Sequence, residues 1–128
     1  MSHVSLIAAD KELPVRDRMV FPHKYYRDSV DGLGLEMKPF QYELDVQNCQ
    51  RDLDRLLDYL RDNFAPGEEV ELWSLWVGNG GGKARRYRGR LSEFDLDTLG
   101  MLYELQREPD LTQEFDDLIC QVGLTIEL

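Results

Sequence analysis

Apolar and polar positions alternate along this chain in two rhythms, one of period two and one of period 3.6, and the places where the rhythm changes mark its elements. Val4 to Ala9 is a short apolar run closed by Asp10, which reads as a strand. Lys11 to Gly34 is irregular: Pro14, Pro22 and Gly32 interrupt mixed charges and an aromatic group of Phe21, Tyr25 and Tyr26. Such a stretch is expected to be a long connection with one short strand at most. Phe40, Tyr42, Leu44 and Val46 then alternate with Gln41, Glu43 and Asp45, the pattern of a strand with one wet face.

The clearest element follows. Cys49, Leu53, Leu56, Leu57, Leu60 and Phe64 fall at helical spacing with polar positions between them. This predicts an amphipathic helix over 48–64, of about four turns at 1.5 Å per residue. Asn48 or Asp45 is placed to cap its start, and Ala65-Pro66-Gly67 stops it. In the run from Val70 to Val77 both faces become apolar, so this strand is expected inside the sheet, covered on both sides. Gly78-Asn79-Gly80-Gly81-Gly82 reads as a turn, and Lys83 to Leu91 as the returning strand of a hairpin. Ser92, with Asp95 three residues on, has capping-box spacing and opens a helix through about Gln106 that Gly100 weakens and Pro109 ends. Leu111, Phe115, Leu118 and Ile119 form a shorter helical stripe, and Gly123 separates it from a last strand, Leu124 to Leu128.

From residue 40 onward this is the βαββαβ order of the ferredoxin-like split unit, with an extra N-terminal strand. The expected fold is α+β: one domain over 1–128, a mostly antiparallel sheet, and helices on one face. That arrangement hosts many unrelated activities, so it carries no function by itself.

Composition narrows the function classes. A net charge of −10 over 128 residues opposes general affinity for nucleic acid and for anionic membranes, and it suits a soluble protein or one that meets a basic partner. The N-terminal residues have no basic, signal-like start, and their apolar run is far too short for a membrane span. The two cysteines, Cys49 and Cys120, read as buried free thiols in a reducing, cytoplasmic setting.

The glycine loop ending at Lys83 resembles a phosphate-binding loop only superficially. The first glycine of that pattern falls on Val77, Ala84 stands where Ser or Thr is needed, and a strand-like stretch rather than a helix follows. The basic stretch is more distinctive. Lys83, Arg85, Arg86, Arg88 and Arg90 place five cations in eight residues, leaving 10 basic against 25 acidic side chains elsewhere, a net of −15. On a strand, Arg86, Arg88 and Arg90 share one face, able with Lys83 to hold a phosphate, a carboxylate or an acidic segment. The simpler account is that these arginines neutralise the protein's own carboxylates.

The acidic residues Asp54, Asp58 and Asp62 read as the solvated face of the helix, open to a basic partner. Trp73 and Trp76 fall on opposite faces of one strand, so one of them, Trp73 among the candidates, is available as a partner anchor unless residues around Phe21, Tyr25 and Tyr26 cover it. His3 and His23 sit in no metal-ligand spacing, and no nucleophile elbow is present. No catalytic residue, metal or cofactor is therefore expected. The leading expectation is a small, acidic, non-enzymatic protein that binds a macromolecular partner, such as a basic protein in the manner of an immunity or inhibitor protein. The alternative is an anionic small-ligand domain or enzyme that uses residues 83–90. A homo-oligomer paired through an edge strand is a third.

Overall fold

A strand's neighbours in a sheet are decided by which of its faces and edges must leave water, and that rule orders this molecule. The computed structural model describes residues 2–77, 83–103 and 119–128. Six strands, β1 (Ser2–Ala9), β2 (Val20–Pro22), β3 (Phe40–Leu44), β4 (Glu69–Val77), β5 (Lys83–Arg90) and β6 (Ile119–Glu127), form one sheet in the order β2-β3-β1-β4-β6-β5. Every neighbouring pair is antiparallel except β5 with β6, which is parallel. Among the described residues there are three α-helices, α1 (Arg27–Asp31), α2 (Gln50–Asn63) and α3 (Leu96–Gly100), which make the fold mixed α+β. None among the described residues is long and apolar enough to cross a membrane.

Along the chain, β3-α2-β4-β5-α3-β6 does follow the expected βαββαβ order, but the spatial order is not the ferredoxin-like one. β3 and β4 are both antiparallel to β1, which lies between them, so the N-terminal strand splits this unit from the centre of the sheet. β5 and β6 are direct parallel neighbours and form an unsplit unit.

The expected hairpin of 70–91 is also corrected: β4 and β5 do not pair, because β6 lies between them. The physical reason is burial. β4 is buried along almost its whole length and takes β1 and β6 as neighbours, and β6 is nearly as buried as β4. The cation-rich β5 occupies an edge, where its side chains stay hydrated.

Both faces of the sheet are covered, as expected for β4. On one face Ile7, Leu72, Val122, Leu124 and Ile126 pack against Leu53, Leu56, Tyr59 and Leu60 of α2 and against Leu99 beside them. On the other, Val4, Leu6, Trp73 and Leu75 pack against Val30 of α1 and against Tyr26, Leu33, Leu35 and Met37. The expectation of helices on one face is therefore corrected, since α1 lies opposite α2 and α3. Each fully buried leucine of α2 contributes about 1.5–3 kcal/mol relative to exposure.

The connection 11–34 holds the one short strand expected, together with α1. The end of α2 at Asn63 agrees with the Ala65-Pro66-Gly67 stop, and Gly67 takes φ +90, which a side chain would strain. Its start differs from expectation: neither Asn48 nor Asp45 caps it. Cys49 is the N-cap residue, is exposed and not buried as expected, and makes no side-chain cap bond, while Asp52 reaches back to accept from Gln47 N at 2.7 Å. Asp95, not Ser92, caps α3, accepting from Thr98 N at 2.9 Å. β6 begins five residues earlier than expected, at Ile119, and runs through Gly123. Cys120 is buried within it, as expected. The turn expected at 78–82 and the helical stretches expected within 104–118 lie outside the described residues.

Candidate functional site

β-strand parity places the candidate residues. On β4, Glu69, Glu71 and Trp73 share the α1 side of the sheet, and the strand register carries that side across β6 to β5. One row reads Trp73, Gly123, Arg86 and the next reads Glu71, Thr125, Arg88. Gly123 explains the first row. A Cβ there would lie 2.6 Å from Trp73 Cη2 and Cζ3, so the indole lies flat over bare backbone. The Arg86 guanidinium stacks on that ring, 4.8 Å from its centroid, and donates to the Glu36 carbonyl at 3.0 Å. Arg88 donates to Glu69 Oε1 at 2.7 Å. Both arginines remain largely in water, so each contact contributes at most about 1 kcal/mol.

The residues from Glu36 to Pro39 run alongside and, with β4, β6 and β5, enclose a cleft of about 620 Å³. Two contacts pin this segment: Lys38 N donates to Glu71 Oε1 at 2.7 Å, and Lys38 Nζ meets Asp10 at 2.6 Å. The Asp10 contact raises the Lys38 pKa. Glu71 is only 9% exposed. Its Oε1 also lies 3.4 Å from Trp73 Nε1, whereas no donor among the described residues meets its Oε2, which is not sealed from solvent. A nearly buried carboxylate thus lines the cleft with one of its oxygens engaged by the protein.

The predicted residues divide accordingly. Arg86 and Arg88 come together at the cleft, but Arg90 lies at the far end of β5 in a separate cleft with Arg61 and Glu127. Lys83 is exposed at the opposite end of the strand. Trp73 is corrected as a partner anchor: at 1% exposed it is sealed beneath the α1 segment and Arg86. Asp54, Asp58 and Asp62 are exposed on the outer face of α2, across the sheet from the cleft. Arg51 and Arg61 are exposed on the same helix, and Arg16 approaches Asp62 at 3.5 Å, so that surface is mixed in sign.

Glu71, Lys38, Asp10 and Glu36 were not among the predicted site residues. One signal was available for Glu71, which shares the parity of Trp73, Leu75 and Val77 and so had to be an acid on a covered face.

Other chemistry is sparse. His3 Nε2 lies 2.6 Å from Ser74 Oγ, but Ser74 is buried, so the pair fastens β1 to β4 and presents no nucleophile. Burial lowers the His3 pKa. His23 is buried with neither ring nitrogen hydrogen-bonded; burial and then Arg27 lower its pKa, while Asp31 opposes them. Burial raises the Cys120 thiol pKa. Among the described residues no group of three or more His, Cys, Asp or Glu is placed to hold a metal ion. No family model matches the chain, and no curated protein or solved structure matches it significantly.

Proposed function

We propose that this domain binds a small charged ligand in the cleft between residues 36–39 and β5, without chemistry of its own. The observation that carries the reading is the meeting of Arg86 and Arg88 with an almost buried carboxylate, Glu71, around a space of about 620 Å³. That volume lies within the range of small-molecule sites, roughly 300–1,000 Å³. Each guanidinium has donors beyond the one it spends on Glu36 or Glu69. Thermal-shift measurements against phosphates, nucleotides, carboxylates and amines test the reading. A ligand that raises the midpoint for the native chain, and fails to do so for Arg86→Ala/Arg88→Ala, supports it. A shift that survives the double change places the ligand elsewhere.

A second reading is a protein partner with a basic surface, met in the cytoplasm in the manner of an immunity or inhibitor protein. It is favoured by the net charge of −10 and by the outward stripe of Asp54, Asp58 and Asp62, spaced four residues apart on α2. Such a complex weakens steeply with salt. Capture from cell lysate at low salt with native chain and with Asp54→Asn/Asp58→Asn/Asp62→Asn tests it; a partner retained equally by both argues against it. Self-association through the β5 edge is read directly by sedimentation.

A further inference from the structure

The charges around the cleft do not favour an ion of either sign. Asp10, Glu36, Glu69 and Glu71 line it as acids, whereas Lys38, Arg86 and Arg88 line it as cations, the two arginines from the edge strand. A lone cation drawn to Glu71 would bring its charge toward two guanidiniums, and a lone anion drawn to the guanidiniums would face a carboxylate that cannot withdraw into water. Lys38 balances Asp10, which holds its ammonium at 2.6 Å, and Glu69 balances Arg88 at 2.7 Å, so the lining as a whole is close to neutral.

We infer that the cleft takes a small zwitterion of the amino-acid type, with its ammonium on Glu71 Oε2 and its carboxylate on Arg86 and Arg88. The inference rests on the cleft-ligand reading above and assigns the ligand's class and orientation. Three observations carry it. Glu71 is nine-tenths buried, lines the cleft and spends one oxygen on Lys38 N and Trp73 Nε1, while no donor among the described residues meets its second oxygen. Arg86 lies over the Trp73 ring and donates to the Glu36 carbonyl, two contacts that hold its guanidinium at the cleft wall. Glu71 and Arg88 belong to one register row with Thr125 between them. Two strand spacings put their backbones roughly 10 Å apart on one face of the sheet, a distance that the two side chains and a small ligand together can span. A molecule whose ammonium and carboxylate are separated by one to three carbons is of that size, and Thr125 lines the cleft between the two residues.

Isothermal titration at low salt, with L-alanine and 4-aminobutyrate against ethylamine and acetate, tests the assignment. At least one zwitterion is expected to bind saturably and at least tenfold more tightly than either single-charge compound. Glu71→Gln and, separately, Arg88→Ala should each weaken that binding at least tenfold. Arg88 is well exposed, so its variant keeps the test sound even if Glu71→Gln perturbs the fold. Zwitterions that bind no better than ethylamine or acetate, or binding that survives Arg88→Ala, overturn the assignment. If acetate alone binds and Arg88→Ala abolishes it, or ethylamine alone binds and Glu71→Gln abolishes it, the cleft remains a ligand site and only the zwitterion is wrong. If no charged compound of either panel binds, the cleft reading itself falls.

Discussion

Gly123 shows how one missing side chain organises this molecule. In the sequence it reads as a breaker before the last strand, yet it lies inside β6 because the Trp73 ring needs the space above it. Period-two patterning could not reveal this, since a glycine is silent about its face and the residue it accommodates is 50 positions away along the chain. Gly123→Ala is expected to destabilise the protein by about 1–3 kcal/mol through overpacking. The urea midpoint should fall, and Trp73→Phe in the same chain should recover part of the loss by removing the crowded ring atoms. His23 makes a second residue-scale prediction. Its neutral form is favoured in the fold, so below its ordinary pKa of 6.5 the unfolded chain binds more protons than the native one. Stability therefore falls as pH drops below 6.5, with His3 contributing in the same direction. Melting midpoints at about pH 7.5 and about pH 5.5 should differ less in His23→Leu than in the native chain, because the variant removes one of the two titrating rings; an equal difference in both would clear His23 of this role.

At the scale of elements, what was legible followed from strong periodicity. α2 and the doubly covered β4 could be read because their apolar positions repeat over many residues; of the aromatic group in the irregular connection, Tyr26 packs against the cluster that holds Trp73, whereas Tyr25 is 85% exposed. Pairing was not legible. β4 and β5 are adjacent in sequence, but a sheet chooses neighbours by burial: β6, apolar on its inward positions, takes the flank of β4, and the cationic β5 is left to the edge. The cleft was half legible for the same reason. Arg86 and Arg88 announced themselves by charge, while Glu71, Lys38 and Asp10 meet only after the register of β4 and the path of 36–39 are set. The two thiols separate by element as well. Cys49 sits at the exposed start of α2 and Cys120 is buried in β6, where burial also disfavours its thiolate. A thiol reagent at neutral pH should modify one cysteine of the native protein quickly, and peptide mapping should identify it as Cys49. Prompt labelling of Cys120 would mean that β6 opens far more readily than its burial implies.

For the molecule as a whole, the excess of carboxylates acts as self-repulsion. Raising ionic strength from about 0.01 M to about 0.15 M shortens the screening length from ~30 to ~8 Å. The thermal midpoint should rise over that interval, because the exposed ion pairs that salt weakens contribute little; a falling midpoint would show that those pairs outweigh the repulsion. The placement of β6 has a consequence for how the protein is made. This strand is the last of the six to leave the ribosome, yet it fills the slot between β4 and β5. Until residues 119–127 emerge, one flank of β4 has no hydrogen-bonding neighbour, and the side chains of Leu72, Trp73 and Leu75 lack the strand that packs beside them. A nascent chain stalled ahead of residue 119 should therefore be cut readily by protease, and one stalled well beyond 128 should resist. During almost all of its synthesis this chain leaves open the flank of β4 that β6 later covers.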